Sequence, residues 1–187
     1  MKKFILILLI IIVGLVIYFS LSTKVTDNLD SYIYELPFKE GTAHKVVQGY
    51  GGMFSHKHKA ALDFGMPERT PIYAAREGVV CSFKDDSNEG GLSVSEKKAN
   101  YIIIRHNDGS FGCYWHLQKS GVVIKKGMIS KGQLIGYSGS TGFVLRPHLH
   151  FAVKRKLNYD KDSFVRTKFR TTKGNQHLQK SERYEKP

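Results

Sequence analysis

Two histidines one residue apart, His148 and His150, lie in the run Pro147-His148-Leu149-His150-Phe151. Side chains alternate across a β-strand, so these two imidazoles share one face while Leu149, Phe151 and Val153 share the other. The second face reads as core and the first as a site. A His-x-His pair alone is more often a half-exposed strand than a metal site. Here two further stretches accompany it: Ser55-His56-Lys57-His58 with Asp63 downstream, and Tyr114-Trp115-His116-Leu117. At least four imidazoles and one carboxylate near predicted strands supply the nitrogen and oxygen donors a zinc hydrolase needs. Such a site uses three protein ligands and keeps one position open for water.

The elements that must carry these residues read as short strands. Tyr101 to Arg105 is the strongest β-run, Asn107-Asp108-Gly109 signals a hairpin turn, and Phe111 to Leu117 is the expected partner. Val46-Val47 leads into the flexible turn Gly49-Tyr50-Gly51-Gly52. Ala74 to Phe83 reads as a strand pair broken at Glu77-Gly78, and Gly127, Gly132, Gly136, Gly139 and Gly142 punctuate the next stretch. No segment between residues 45 and 155 has a long helical period. Many short strands with glycine turns predict an all-β sandwich or barrel. Residues 84–100 form a polar insert expected to flank the groove. Residues 23–43 read as a polar linker with Tyr32, Tyr34 and Leu36 as a candidate first strand. The basic tail carries Phe164, Val165, Phe169 and Tyr184, which suggests that part of it packs back.

Three ordered blocks resemble the signature of the lysostaphin-type (LytM-like) zinc endopeptidases that cut peptidoglycan. The last is the glycine-rich Gly136 to Phe143 followed by Pro147 to Phe151. The first is His56, then Ala61-Leu62-Asp63-Phe64, then Thr70 to Ala75. The middle is Tyr114 to Leu117. The resemblance covers roughly residues 45 to 155. It implies a compact antiparallel β-sheet sandwich or barrel of the duplicated hybrid motif type. It also implies a zinc ion (Zn2+) on His56, Asp63 and His150. His116 and His148 would face a metal-activated water and the scissile carbonyl, one taking the proton and the other hydrogen-bonding the oxyanion. His148 is the favoured base, because it flanks a ligand on the same strand face. Two departures stand out. Asp63 lies seven residues after His56 and five after His58, which leaves His58 as the alternative first ligand. Arg69 and Arg146 stand where the family often has glycine.

The chain has 187 residues and a formal net charge of +13, which favours anionic partners such as nucleic acid, acidic membrane or cell-wall polymer. No nucleic-acid fold signature is present. Met1-Lys2-Lys3 and the apolar run Phe4 to Phe19 predict an N-terminal hydrophobic helix, as a signal-anchor or signal peptide over residues 1–22. Export then makes cell-wall polymer and membrane the expected partners, with no nucleic acid. The expected organisation is this leader, the linker, a LytM-like peptidase domain over 44–157 and a basic extension over 158–187. Cys81 and Cys113 both lie in strand-like runs, where a cross-sheet disulfide and two buried core residues are equal expectations.

The leading functional expectation is a zinc-dependent endopeptidase acting on peptidoglycan peptide in the cell envelope, with an activator protein as a candidate partner. The competing expectation is a catalytically inactive binding module that grips cell-wall peptide and activates another hydrolase. Such a module would have lost ligands, whereas every candidate ligand and both candidate catalytic imidazoles are present here.

Overall fold

The computed structural model describes residues 11–13, 29–158 and 161–187. Thirteen strands follow one another: β1 (Leu29–Glu35), β2 (Ala43–Gln48), β3 (Ala61–Gly65), β4 (Pro71–Tyr73), β5 (Gly78–Lys84), β6 (Asn100–Arg105), β7 (Phe111–Val122), β8 (Met128–Ile129), β9 (Leu134–Ser138), β10 (His148–Lys154), β11 (Phe164–Thr171), β12 (Gly174–Gln176) and β13 (Arg183–Glu185). The all-β expectation holds. The closed sandwich or barrel is not seen: the main hydrogen-bonded path, β13-β2-β3-β10-β7-β6-β5-β8, does not return on itself. Nor is every pairing antiparallel, because β1 runs parallel to β11. The expected N-terminal helix falls on residues of which only 11–13 are described, as an exposed helical turn. The remainder of that expectation lies outside the described residues, and no helix among them is long and apolar enough to cross a membrane.

The β6–β7 hairpin forms where the sequence places it. Its turn closes with His106 N donating to Ser110 O (2.8 Å), and Gly109 takes the left-handed φ of +80° that a residue without Cβ adopts readily. The alternation on β10 is realised as expected. Leu149, Phe151 and Val153 are buried in the core, where Phe151 meets the rings of Tyr114 (5.0 Å) and Phe169 (5.7 Å) edge-on. Full burial of such a ring contributes about 2–3 kcal/mol.

Two segments are more deeply built in than their sequence suggests. Tyr34, Leu36 and Phe38 lie in the stretch read as linker, yet all three are fully buried in the main core. β1 joins β11, and Arg76 stacks 4.0 Å over the Tyr32 ring while its guanidinium pairs with Asp108 (2.8 Å). The tail contributes β11, β12 and β13, with Val165, Phe169 and Tyr184 buried. Cys81 and Cys113 are both free, on strands separated by β6.

Candidate functional site

Strand register assembles the site. β10 lies between β3 and β7, so His150 pairs with Asp63 on one side and Trp115 on the other. β2 continues the row by placing Gln48 opposite Asp63, after a bulge that follows Val46. His148 sits two residues along β10 on the same face, opposite Gly65.

His56 arrives from a loop instead of a strand. The loop is a compact turn in which His56 N donates to Gly52 O (3.0 Å) and Lys59 N donates to His56 O (2.8 Å). A Cβ at Gly52 would stand 2.6 Å from Gln48 Cγ, so glycine lets the loop fold over the Gln48 side chain. His56 Nδ1 lies 3.0 Å from Gly49 O. A carbonyl only accepts, so Nδ1 carries the proton and Nε2 presents its lone pair. That Nε2 is 3.1 Å from Asp63 Oδ1 and 3.0 Å from His150 Nδ1, and His150 Nδ1 is 2.8 Å from Asp63 Oδ1. Three atoms of metal-ligand type therefore converge, two nitrogens and one carboxylate oxygen. This donor set fits zinc, whose catalytic sites use three protein ligands of these types and leave one position for water.

The carboxylate is held from behind. Gln48 Nε2 donates to Asp63 Oδ2 (3.1 Å) and to Ser55 Oγ (2.7 Å). Burial by itself would raise the Asp63 carboxyl. The contacts with the His150 and His56 imidazoles outweigh it and hold the group well below the usual carboxylate range. For His150 the order is reversed: desolvation lowers its basicity more than the Asp63 contact raises it.

Two further imidazoles face the cluster. His116 occupies a one-residue bulge of β7, since Tyr101 pairs with Trp115 and Asn100 with Leu117. Its φ of +64° is uncommon for a residue with a Cβ and turns the ring out of the ladder. Its Nδ1 donates to Thr141 O (2.7 Å), which leaves Nε2 unprotonated. Burial, with a further push from His148 and His150, lowers its pKa to about 3. His148 likewise donates from Nδ1 to Arg146 O (2.7 Å), and its Nε2 is 3.7 Å from Asp63 Oδ1. The His116 and His148 rings are 4.6 Å apart.

All five residues singled out in the sequence thus meet at one place. His58, the alternative first ligand, takes a φ of +63° and contributes no atom to the clustered donors. Asn100 is fully buried and bonds both its amide atoms to Ser87. Tyr114 is core, its hydroxyl accepting from Ala75 N (2.8 Å). His106 is buried, with Nδ1 on Glu77 O (2.7 Å). Sequence reasoning missed Gln48 and Thr141. Gln48 reads as an ordinary polar residue in a strand, and only the register to Asp63 reveals it.

The pattern of Peptidase family M23 matches residues 56–162, more than half of the chain. The peptidoglycan DD-endopeptidase ShyA of Vibrio cholerae serotype O1 is 40% identical over 90 residues, which are 48% of this chain and 18% of ShyA. The glycyl-glycine endopeptidase ALE-1 of Staphylococcus capitis is 34% identical over 113 residues, 58% of this chain and 28% of ALE-1. The matched segment therefore spans well under a third of these relatives' own length. Among solved structures, the antimicrobial peptidase lysostaphin from Staphylococcus simulans superposes with a TM-score of 0.50 at 31% identity. That match covers 65% of this chain and 46% of lysostaphin. Motif order, site geometry and family pattern agree, and the chain belongs to peptidase family M23.

Proposed function

We propose that this protein is a zinc-dependent endopeptidase that hydrolyses peptide bonds of cell-wall peptidoglycan. The observation that carries the reading is the convergence of His56 Nε2, His150 Nδ1 and Asp63 Oδ1 within 3.1 Å of one another, beside His116 and His148. His56, His150 and Asp63 would hold the metal, and Gln48 keeps the carboxylate turned toward it. Bound zinc would supply Lewis acidity toward water and the scissile carbonyl.

The remaining steps belong to side chains. His116 is kept neutral by burial, so its Nε2 accepts a hydrogen bond from the attacking water at any pH near neutral. A group this weakly basic stores a proton poorly. His148 is less enclosed, and its Nε2 lies 3.7 Å from Asp63 Oδ1. We therefore assign His148 as the base that takes the proton and returns it to the leaving amine, with His116 orienting the water.

The apolar segment behind Lys2-Lys3 would carry the domain across the cytoplasmic membrane, as an anchor or as a removed leader, and place it in the cell envelope. The inactive binding module has no structural feature in its favour, because both candidate catalytic imidazoles stand at the cluster. The test is metal content with muropeptide release from purified sacculi, using the full chain. The proposal expects about one zinc per chain, with release abolished by chelation and restored by zinc. Sacculi left intact by zinc-loaded protein would contradict it and favour the binding module.

A further inference from the structure

A groove of about 410 Å3 opens beside His150 and continues away from the metal ligands. Its floor is the site face of the sheet: Trp115 pairs with His150 on one side and Tyr101 on the other, and Ile103 follows one row down. Phe164 closes the far end beside Lys154, whose ammonium sits 4.6 Å over that ring. Lys154 lies four residues beyond His150 on β10, about 13 Å along a strand, or roughly four residues of an extended peptide.

The rims are cationic from two sides. Lys59 comes from the loop that carries His56, and Lys97 from the insert between β5 and β6. Both are mounted on pinned backbone. Gly51 N donates to Lys59 O (3.0 Å), and Ser95 caps the short turn of Glu96–Lys98 by accepting from Lys97 N. That insert is tied to the catalytic side, because Asn100 N donates to Oγ1 of Thr141, the residue whose carbonyl holds His116. Neighbouring lysines of the insert are spoken for: Lys98 pairs with Glu89 (2.6 Å) and Lys84 with Asp86. Among the described residues Lys59 and Lys97 have no ion pair, and Glu96 is the single acidic residue on the groove.

We propose that this groove binds an extended acidic peptide, with Lys59 and Lys97 gripping its carboxylates across a floor of Trp115 and Tyr101. This rests on the endopeptidase reading and narrows it. The named relatives differ in the bond their names give, DD for ShyA and glycyl-glycine for ALE-1. A neutral glycine chain offers this groove neither charge for two lysines nor side chains for its apolar floor. A peptide bearing free carboxylates offers the charge directly.

Trp115 is the one tryptophan of the chain and lies in the groove, so its fluorescence reports occupancy without any need for turnover. The experiment titrates the zinc-loaded full chain with three probes. These are N-acetyl-Ala-Glu-Ala-Ala with free carboxylates, N-acetyl-Ala-Gln-Ala-Ala amide, and N-acetyl-pentaglycine amide. The acidic peptide is expected to bind about tenfold more tightly than either neutral probe, and added salt should shrink the difference. The double variant Lys59→Gln/Lys97→Gln should lose the preference, and Lys59→Arg/Lys97→Arg should keep it. Lys168→Gln, an exposed position on β11, should also keep it. Equal binding of all probes to the wild type, or a preference that survives the double Gln variant, overturns the proposal. Muropeptide release by the same samples reads the endopeptidase function separately. Release with equal probe binding sinks only the groove assignment, and a preference without release sinks only the hydrolase reading.

Discussion

His106 and His116, at opposite ends of the β6–β7 hairpin, are built alike and serve different ends. Each is buried, each donates from Nδ1 to a backbone carbonyl, and each has its basicity lowered first of all by burial. The difference lies in what the other nitrogen meets. His106 Nε2 is buried with no hydrogen-bond partner, and its ring packs 6.0 Å from Tyr34. The His116 ring stands beside two more imidazoles, one of which touches a carboxylate. A histidine fixed by a carbonyl is therefore a structural habit of this fold, shared by His44 on Gly65 O and His177 on Thr167 O. Convergence of the free nitrogens on Asp63 is what makes a site.

That contrast can be broken in several ways. The largest effect should come from Asp63→Asn or His56→Ala, which remove a donor from the cluster. Zinc should be lost and sacculus digestion should fall below detection, whereas His58→Ala should keep both. Metal analysis with a turbidity assay decides this, and zinc loss in the His58 variant would shift the ligand set to that residue. Next, Gln48→Ala removes the side-chain donor to Asp63 Oδ2, and zinc affinity should fall about 10–100-fold with the fold intact. Competition with a chromophoric chelator measures it, and unchanged affinity would remove Gln48 from the account.

At the other end of the hairpin, His106→Gln should cost about 1–3 kcal/mol of stability by disturbing the bond between the buried imidazole and the carbonyl of Glu77, while activity per folded molecule stays at the wild-type level. Denaturant midpoints and specific activity together test it. The smallest effect is the pH response of the metal-free protein. Burial holds His116 at about 3, below the ordinary histidine value of 6.5, and lowers His106 as well. The unfolded chain therefore binds more protons than the folded one below about pH 6.5. Stability should be full above that value and fall as pH drops toward about 3. The drop between neutrality and about pH 5 should be smaller in both His116→Gln and His106→Gln, and only the former should lose activity. Equal acid sensitivity in all three proteins would contradict the burial argument.

The sequence made some of this molecule legible and concealed the rest for physical reasons. His148 and His150 were readable because a period of two sorts a strand's side chains without knowledge of its neighbours. The β6–β7 hairpin was readable because Asn107-Asp108-Gly109 encodes its own turn. Pairing across distant segments is not encoded locally. Gln48 gains its role from lying opposite Asp63, and Tyr34 its burial from β1 lying beside β11, a strand more than a hundred residues later. The bulge at His116 breaks the alternation that strand reading relies on. Asn100 is polar in a strand, yet it is fully buried and bonded to Ser87, a partner that local sequence does not indicate.

The most direct test of the central claim is to compare His150→Ala with His116→Ala for zinc content and muropeptide release in parallel. The account predicts that both lose hydrolysis. His150→Ala should also lose its zinc, while His116→Ala keeps about one zinc per chain and drops about 10^2–10^4-fold in rate. Zinc bound as tightly by His150→Ala as by the wild type, or full activity in His116→Ala, would contradict it.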